Sequence, residues 1–264
     1  MTGSHLLSPA LLHAVGVFLF GLGVLLVAAH ASILALSARR TNLAGSTQLL
    51  VPLVAAALLG LWLGWAVLAV REPVVAPEPA PVGLRAPQRP LLLLEMASFL
   101  AAGIAVLFAS KTMRALNAAT PPEWLIAVQS YRVAGLLFLW PFLAAGALPA
   151  RFAVPAGIGD ALTGMAAPVV ALAIARHSAR ARAWAVGWNL FGILDLLVAP
   201  TAAVLSGTSN VGRFPLVIVP LFLGPPLGIL THVASLRNLA VSARSEIERF
   251  ENEGNERTSQ RRKG

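Results

Sequence analysis

Seven separate stretches of this chain are each long and apolar enough to cross a lipid bilayer. A spanning helix needs about 20 mostly apolar residues at 1.5 Å apiece. Residues 10–37, 48–70, 91–114, 123–147, 154–176, 183–206 and 214–238 meet that requirement. Composition agrees. Only 12% of the side chains are charged and 57% are hydrophobic, whereas a soluble domain carries about 25% charged residues. Too little charge remains to cover a water-facing surface, so lipid must cover part of it. The expected fold is all-α: one seven-helix transmembrane domain over residues 1–240, followed by a charged tail over 241–264.

The basic residues set the expected orientation. With the N-terminus outside, the inner segments hold Arg39, Arg40, Lys111, Arg114, Arg176, Arg180 and Arg182, and then the tail with Arg237, Arg244, Arg249, Arg257, Arg261, Arg262 and Lys263. The outer segments hold only Arg71, Arg85, Arg89, Arg151 and Arg213. This asymmetry follows the positive-inside rule and predicts a cytoplasmic tail. It also explains the net charge of +9 without nucleic acid, because the Arg residues cluster at the ends of apolar runs. Ala29-His30-Ala31 resembles a signal cleavage site, but no Lys or Arg precedes Arg39 and the apolar run is too long for a signal peptide. The first helix is expected to be retained.

The connections are mostly short. Residues 71–90 are rich in proline and read as an extended outer loop. The tail mixes basic and acidic side chains. It is expected to prolong the last helix for a turn or two, then become disordered, and to offer a surface for a protein partner. Gly60-x-x-x-Gly64 and the Gly16, Gly21 and Gly23 cluster predict close helix packing within the chain.

The absence of cysteine removes disulfides, thiolate nucleophiles and Cys-ligated metals. HExxH and GxSxG are also absent, and the seventh span has no lysine for a retinal Schiff base. An enzyme is therefore the less favoured class, and no cofactor is expected. His30 and His232 are weak candidates for a metal or haem. Both are expected near the inner ends of their helices, but a zinc site needs a third protein ligand.

The residues that carry the most information are ionisable groups inside the spans. Each costs about 2.5–3.5 kcal/mol to insert, so each should face the bundle interior with a partner. Counting 1.5 Å per residue puts Arg132 roughly 15 Å from the inner end of the fourth span. Asp195 lies at the same level on the sixth, and Asp160 about one turn above on the fifth. Glu95 enters near the outer end of the third. Gln129, Tyr131 and Asn189 add hydrogen-bonding capacity below. One Arg thus faces two or three acids, a surplus that a shared proton or a bound cation would balance. Pro155, Gly157 and Gly159 in the fifth span and Pro220 and Pro225 in the seventh are expected to interrupt their helices.

Tyr131-Arg132-x-x-Gly135-x-x-Phe138 and Gly146-x-Leu148-Pro149-x-x-Phe152-Ala153-x-Pro155-Ala156-Gly157-x-Gly159-Asp160 resemble a family of bacterial multi-pass membrane proteins with no assigned activity. Trp188-Asn189-x-x-Gly192-x-x-Asp195-Leu196, Phe214-Pro215-Leu216-Val217, Pro220 and His232-x-x-Ser235-Leu236 extend the resemblance, which spans residues 129–240. It implies an inner-membrane protein and implicates Arg132, Asp160, Asp195 and His232. The functional expectation is a small-solute or proton-coupled carrier. The alternatives are a non-transporting subunit, sensor or assembly factor, and an intramembrane metal- or haem-dependent enzyme. The expected partners are the lipid bilayer and a small solute or proton.

Overall fold

The computed structural model describes residues 7–69, 73–74 and 91–263, with side chains through Arg244 and at Glu248. Apart from Pro73 and Val74, the proline-rich connection lies outside the described residues. Seven helical segments are long and apolar enough to cross a membrane: Pro9–Ala38, Gly45–Leu68, Leu92–Ala109, Pro122–Leu143, Ala150–Ala175, Ala181–Leu205 and Val219–Arg244. The described residues contain no strand, only one isolated bridge between Pro73 and Phe214.

Local chemistry sets several helix boundaries. Helix α1 (Pro9–Ala38) opens with proline in its first turn, and the Ser8 hydroxyl accepts from the Leu11 amide at 3.2 Å. Both features suit a helix start, where backbone N–H groups lack partners. Helix α2 (Gly45–Leu68) packs along α1. Gly23 of α1 lets Leu63 of α2 approach, and a Cβ there would stand 2.7 Å from the leucine. Gly16 receives the ring of Phe214 in the same way. Gly60, Gly64 and Gly21 meet no neighbour within 4 Å, so the close packing expected of those three is not made among the described residues.

The third expected span divides in two. Helix α3 (Leu92–Ala109) ends because Ser110 turns extended (φ −73°, ψ 121°), and its hydroxyl then caps α4 (Lys111–Ala119). Arg114 of α4 donates back to the carbonyls of Phe108 and Ala109 at 2.6 and 3.1 Å. Those are carbonyls that the end of α3 leaves without helical partners.

The fourth span departs furthest from a regular helix. Helix α5 (Pro122–Ala127) tightens into a 3-10 segment over Val128–Gly135, and a wide turn follows over Phe138–Leu143. Trp140 inside that turn is extended (φ −139°, ψ 125°). Pro141 accounts for it, since proline disfavours the α conformation in the residue before it and has no N–H to donate.

Helix α6 (Ala150–Ala175) runs unbroken through Pro155, Gly157 and Gly159, which corrects the expectation of an interruption there. The glycines serve close approach instead: a Cβ at Gly157 would stand 2.8 Å from Leu139, and one at Gly159 would strike the Asp195 carboxylate. Helix α7 (Ala181–Leu205) packs beside α6. The chain then enters the bundle as irregular backbone. Leu216, Val217, Ile218, Leu221 and Phe222 are fully buried, a setting in which lipid-depth backbone can stay non-helical. A wide turn over Val219–Leu223 ends at Gly224 (φ −84°, ψ −118°), and α8 (Pro225–Lys263) opens on Pro225 and Pro226. The seventh span is therefore broken at Gly224. At its other end the backbone of α8 continues as helix to Lys263, longer than the turn or two expected of the tail.

Candidate functional site

The 3-10 geometry of residues 128–135 aligns every third side chain. Gln129, Arg132 and Gly135 consequently share one buried face, which packs against α6. Gly135 makes room for the contact, since a Cβ there would collide with Asp160. Arg132 is 2% exposed, so a permanently charged group lies in the protein interior with its partners supplied by three other helices.

Those partners use the guanidinium fork from several directions. Arg132 Nε donates to Asp160 Oδ1 of α6 at 2.7 Å. Nη2 forms a salt bridge with Asp195 Oδ2 of α7. Nη1 donates to the Gly192 carbonyl at 3.2 Å and to His232 Nε2 of α8 at 3.1 Å. The expected Arg132, Asp160 and Asp195 cluster is thus assembled.

His232 is the correction. Reading the last span as residues 214–238 put this histidine near the inner face, whereas the span covers Val219–Arg244 and His232 falls at its middle. Because arginine can only donate, His232 Nε2 must accept. The ring proton then sits on Nδ1 and donates to Asn189 Oδ1 at 2.9 Å. Asn189 Nδ2 completes the chain through the Ala185 carbonyl at 2.8 Å and Ser235 Oγ at 3.1 Å. Trp188 stacks obliquely on His232, with ring centroids 4.9 Å apart, and donates to the Thr163 carbonyl. Gly192 again supplies space, since a Cβ would strike the imidazole.

The other expected residues surround this centre without all joining it. Gln129 donates to the Gly228 carbonyl at 3.0 Å, and the Tyr131 hydroxyl donates to the Leu223 carbonyl. Both therefore hold the broken backbone around Gly224. Glu95 sits in the first turn of α3, and neither of the Arg132 ion pairs involves it. Ser235 and the Gly192 carbonyl were not anticipated by the charge argument. A polar stripe within an apolar span was the available signal: Thr231, Ser235 and Asn238, buried like His232, follow the three- and four-residue spacing of one helix face.

His30 and His232 are engaged separately by hydrogen bonds. His30 bonds the Leu26 carbonyl at 2.8 Å and Thr231 Oγ1 at 3.2 Å, and His232 has both ring nitrogens occupied by Arg132 and Asn189. Among the described residues no three His, Cys, Asp or Glu side chains converge on a metal position.

Several spaces adjoin the centre, one of them a small pocket of about 20 Å³ lined by Arg132 and Asp160 themselves. Among the described residues, Asp160 is the one charged side chain lining a cavity of about 60 Å³ bounded by Met96, Phe138, Leu196, Pro220, Gly224 and Pro225, among others. That volume admits a few water molecules. Asp195 instead borders a groove of about 350 Å³ between α6 and α7. The two carboxylates that hold one arginine therefore open in different directions.

Seven apolar spans packed around a buried ionic centre define a multi-pass membrane protein. Residues 89–240 match the family described as "Domain of unknown function (DUF8737)", and the chain belongs to that family. No curated protein and no solved structure matches it.

Proposed function

We propose that the protein is a proton-coupled carrier of a small solute in a bacterial inner membrane, with its N-terminus outside and its tail in the cytoplasm. The observation that carries this reading is the sharing of the Arg132 guanidinium by Asp160 and Asp195. With His232 accepting as a neutral ring, the centre has one positive charge against two carboxyl groups. In a low-dielectric interior the surplus is balanced by a proton or by a cationic solute. Exchange of one for the other is the elementary step of coupled transport.

The surroundings support this reading. Asp160 borders a cavity, and the broken backbone at Gly224 lines the same cavity. Carriers place interrupted helices at their mid-membrane sites. The distribution of Arg and Lys supports the orientation.

The test is reconstitution. Vesicles loaded with a pH-sensitive dye are challenged with a panel of small solutes. Wild type gives proton movement that depends on one of them, and Asp160→Asn and Asp195→Asn each abolish it while remaining folded. Full flux in both variants removes the reading. A non-transporting docking module is favoured by a different observation, the extension of α8 to Lys263. Deleting residues 245–264 separates the two, since a carrier keeps its flux and a docking module loses its partner.

A further inference from the structure

The two oxygens of Asp195 are used differently. Oδ2 is committed to Arg132. Oδ1 accepts no hydrogen bond from any described residue and rests over Gly159, where a Cβ would collide with it. Asp195 is 8% exposed, and what remains open faces the groove between α6 and α7. Apart from this carboxylate the groove is apolar, lined by Ile158, Leu162, Phe191, Leu194 and Val198 with others of their kind. Ile158, Leu162 and Leu194 are 47%, 50% and 60% exposed, which on a membrane-spanning face means exposure to lipid. The groove thus begins in the hydrocarbon and reaches the Asp195 side chain near mid-membrane.

Charge and shape select the occupant. A phospholipid acyl chain fits the apolar walls but brings no donor to Oδ1. A water-soluble cation satisfies Oδ1 but gains nothing from the walls. A protonated amine on a hydrocarbon chain does both: its N–H donates to Oδ1 and its charge offsets the surplus that Asp160 and Asp195 leave over Arg132. We propose that the α6–α7 groove is a lipid-side binding site for a lipophilic primary ammonium, with Asp195 Oδ1 as its acceptor. The proposal rests on the carrier reading in one respect: it names the class of solute that would exchange with the proton there.

Photolabelling tests the site on the full chain in lipid nanodiscs. Two probes carry a diazirine on alkyl chains of equal length, one ending in a primary ammonium and the other in a hydroxyl. The ammonium probe should label peptides containing Ile158, Leu162, Leu194 and Val198 about tenfold more than the hydroxyl probe, the ratio that one charge-assisted hydrogen bond supports. Asp195→Asn should erase that preference and leave labelling elsewhere unchanged. Leu194→Trp fills the groove from its lipid side and keeps the carboxylate of Asp195, and should lower ammonium labelling of the groove to that of the hydroxyl probe. Equal labelling by the two probes in wild type overturns the proposal, as does a preference that survives Leu194→Trp. Solute-dependent proton flux without ammonium labelling leaves the carrier reading standing and overturns the groove. Ammonium labelling without flux for any solute, the ammonium included, supports the groove and overturns the carrier.

Discussion

Arg132 donates from Nη1 to Nε2 of His232 across 3.1 Å, joining two residues one hundred positions apart in the chain. An arginine that bonds a histidine nitrogen dictates where the ring proton lies, and the same ring then donates to Asn189. Nitrogen-15 NMR of the labelled protein reads this directly. His232 should show a protonated Nδ1 and an unprotonated Nε2 through the neutral pH range. The opposite tautomer would break the bond to Arg132 and with it the proposed arrangement of the centre.

Removing the guanidinium should be costly because it strands two carboxyl groups. Arg132→Met is expected to destabilise the protein by about 3–5 kcal/mol, the penalty for breaking a buried ion pair. Adding Asp160→Asn and Asp195→Asn to the same chain should recover much of that loss, since no uncompensated charge remains. Thermal unfolding in detergent compares the three proteins. A single variant as stable as wild type would show that the triad holds nothing together.

The glycines divide into two groups that a Cβ tells apart. Gly159→Ala and Gly192→Ala drive a methyl into the Asp195 carboxylate and the His232 ring, and each should cost about 1–3 kcal/mol as an overpacked site. Gly60→Ala meets nothing within 4 Å and lies in a helix, where alanine is the better helix former by about 1 kcal/mol. It should leave stability unchanged or slightly raised. Unfolding of the three variants under one condition checks the contrast.

The native chain has no cysteine, so one introduced thiol reports its own side of the membrane. Ser178, in the turn between α6 and α7, is exposed. On the orientation proposed above, Ser178→Cys reacts with an impermeant maleimide in inverted vesicles and not in intact cells. Labelling in intact cells would invert the topology.

Sequence alone reached the class of fold and the ionic centre because both follow from one-dimensional quantities. Span length and charge content specify seven membrane helices, since a bilayer has a fixed thickness and excludes unpaired charge. Rise per residue then places Arg132, Asp160 and Asp195 at matching depths, and the structure brings them together. Depth fails where the helix it is counted along is irregular. His232 was misplaced because residues 214–224 enter the bundle as buried, broken backbone, so a count from residue 214 starts from the wrong level. The unbroken course of α6 through Pro155 was equally out of reach, because Leu139 and Asp195, which fill the space its glycines leave, lie elsewhere in the chain. The rotation of each helix about its own axis was likewise decided only by packing. That rotation turns Asp160 toward one cavity and Asp195 toward the groove between α6 and α7, a difference no count along the sequence contains.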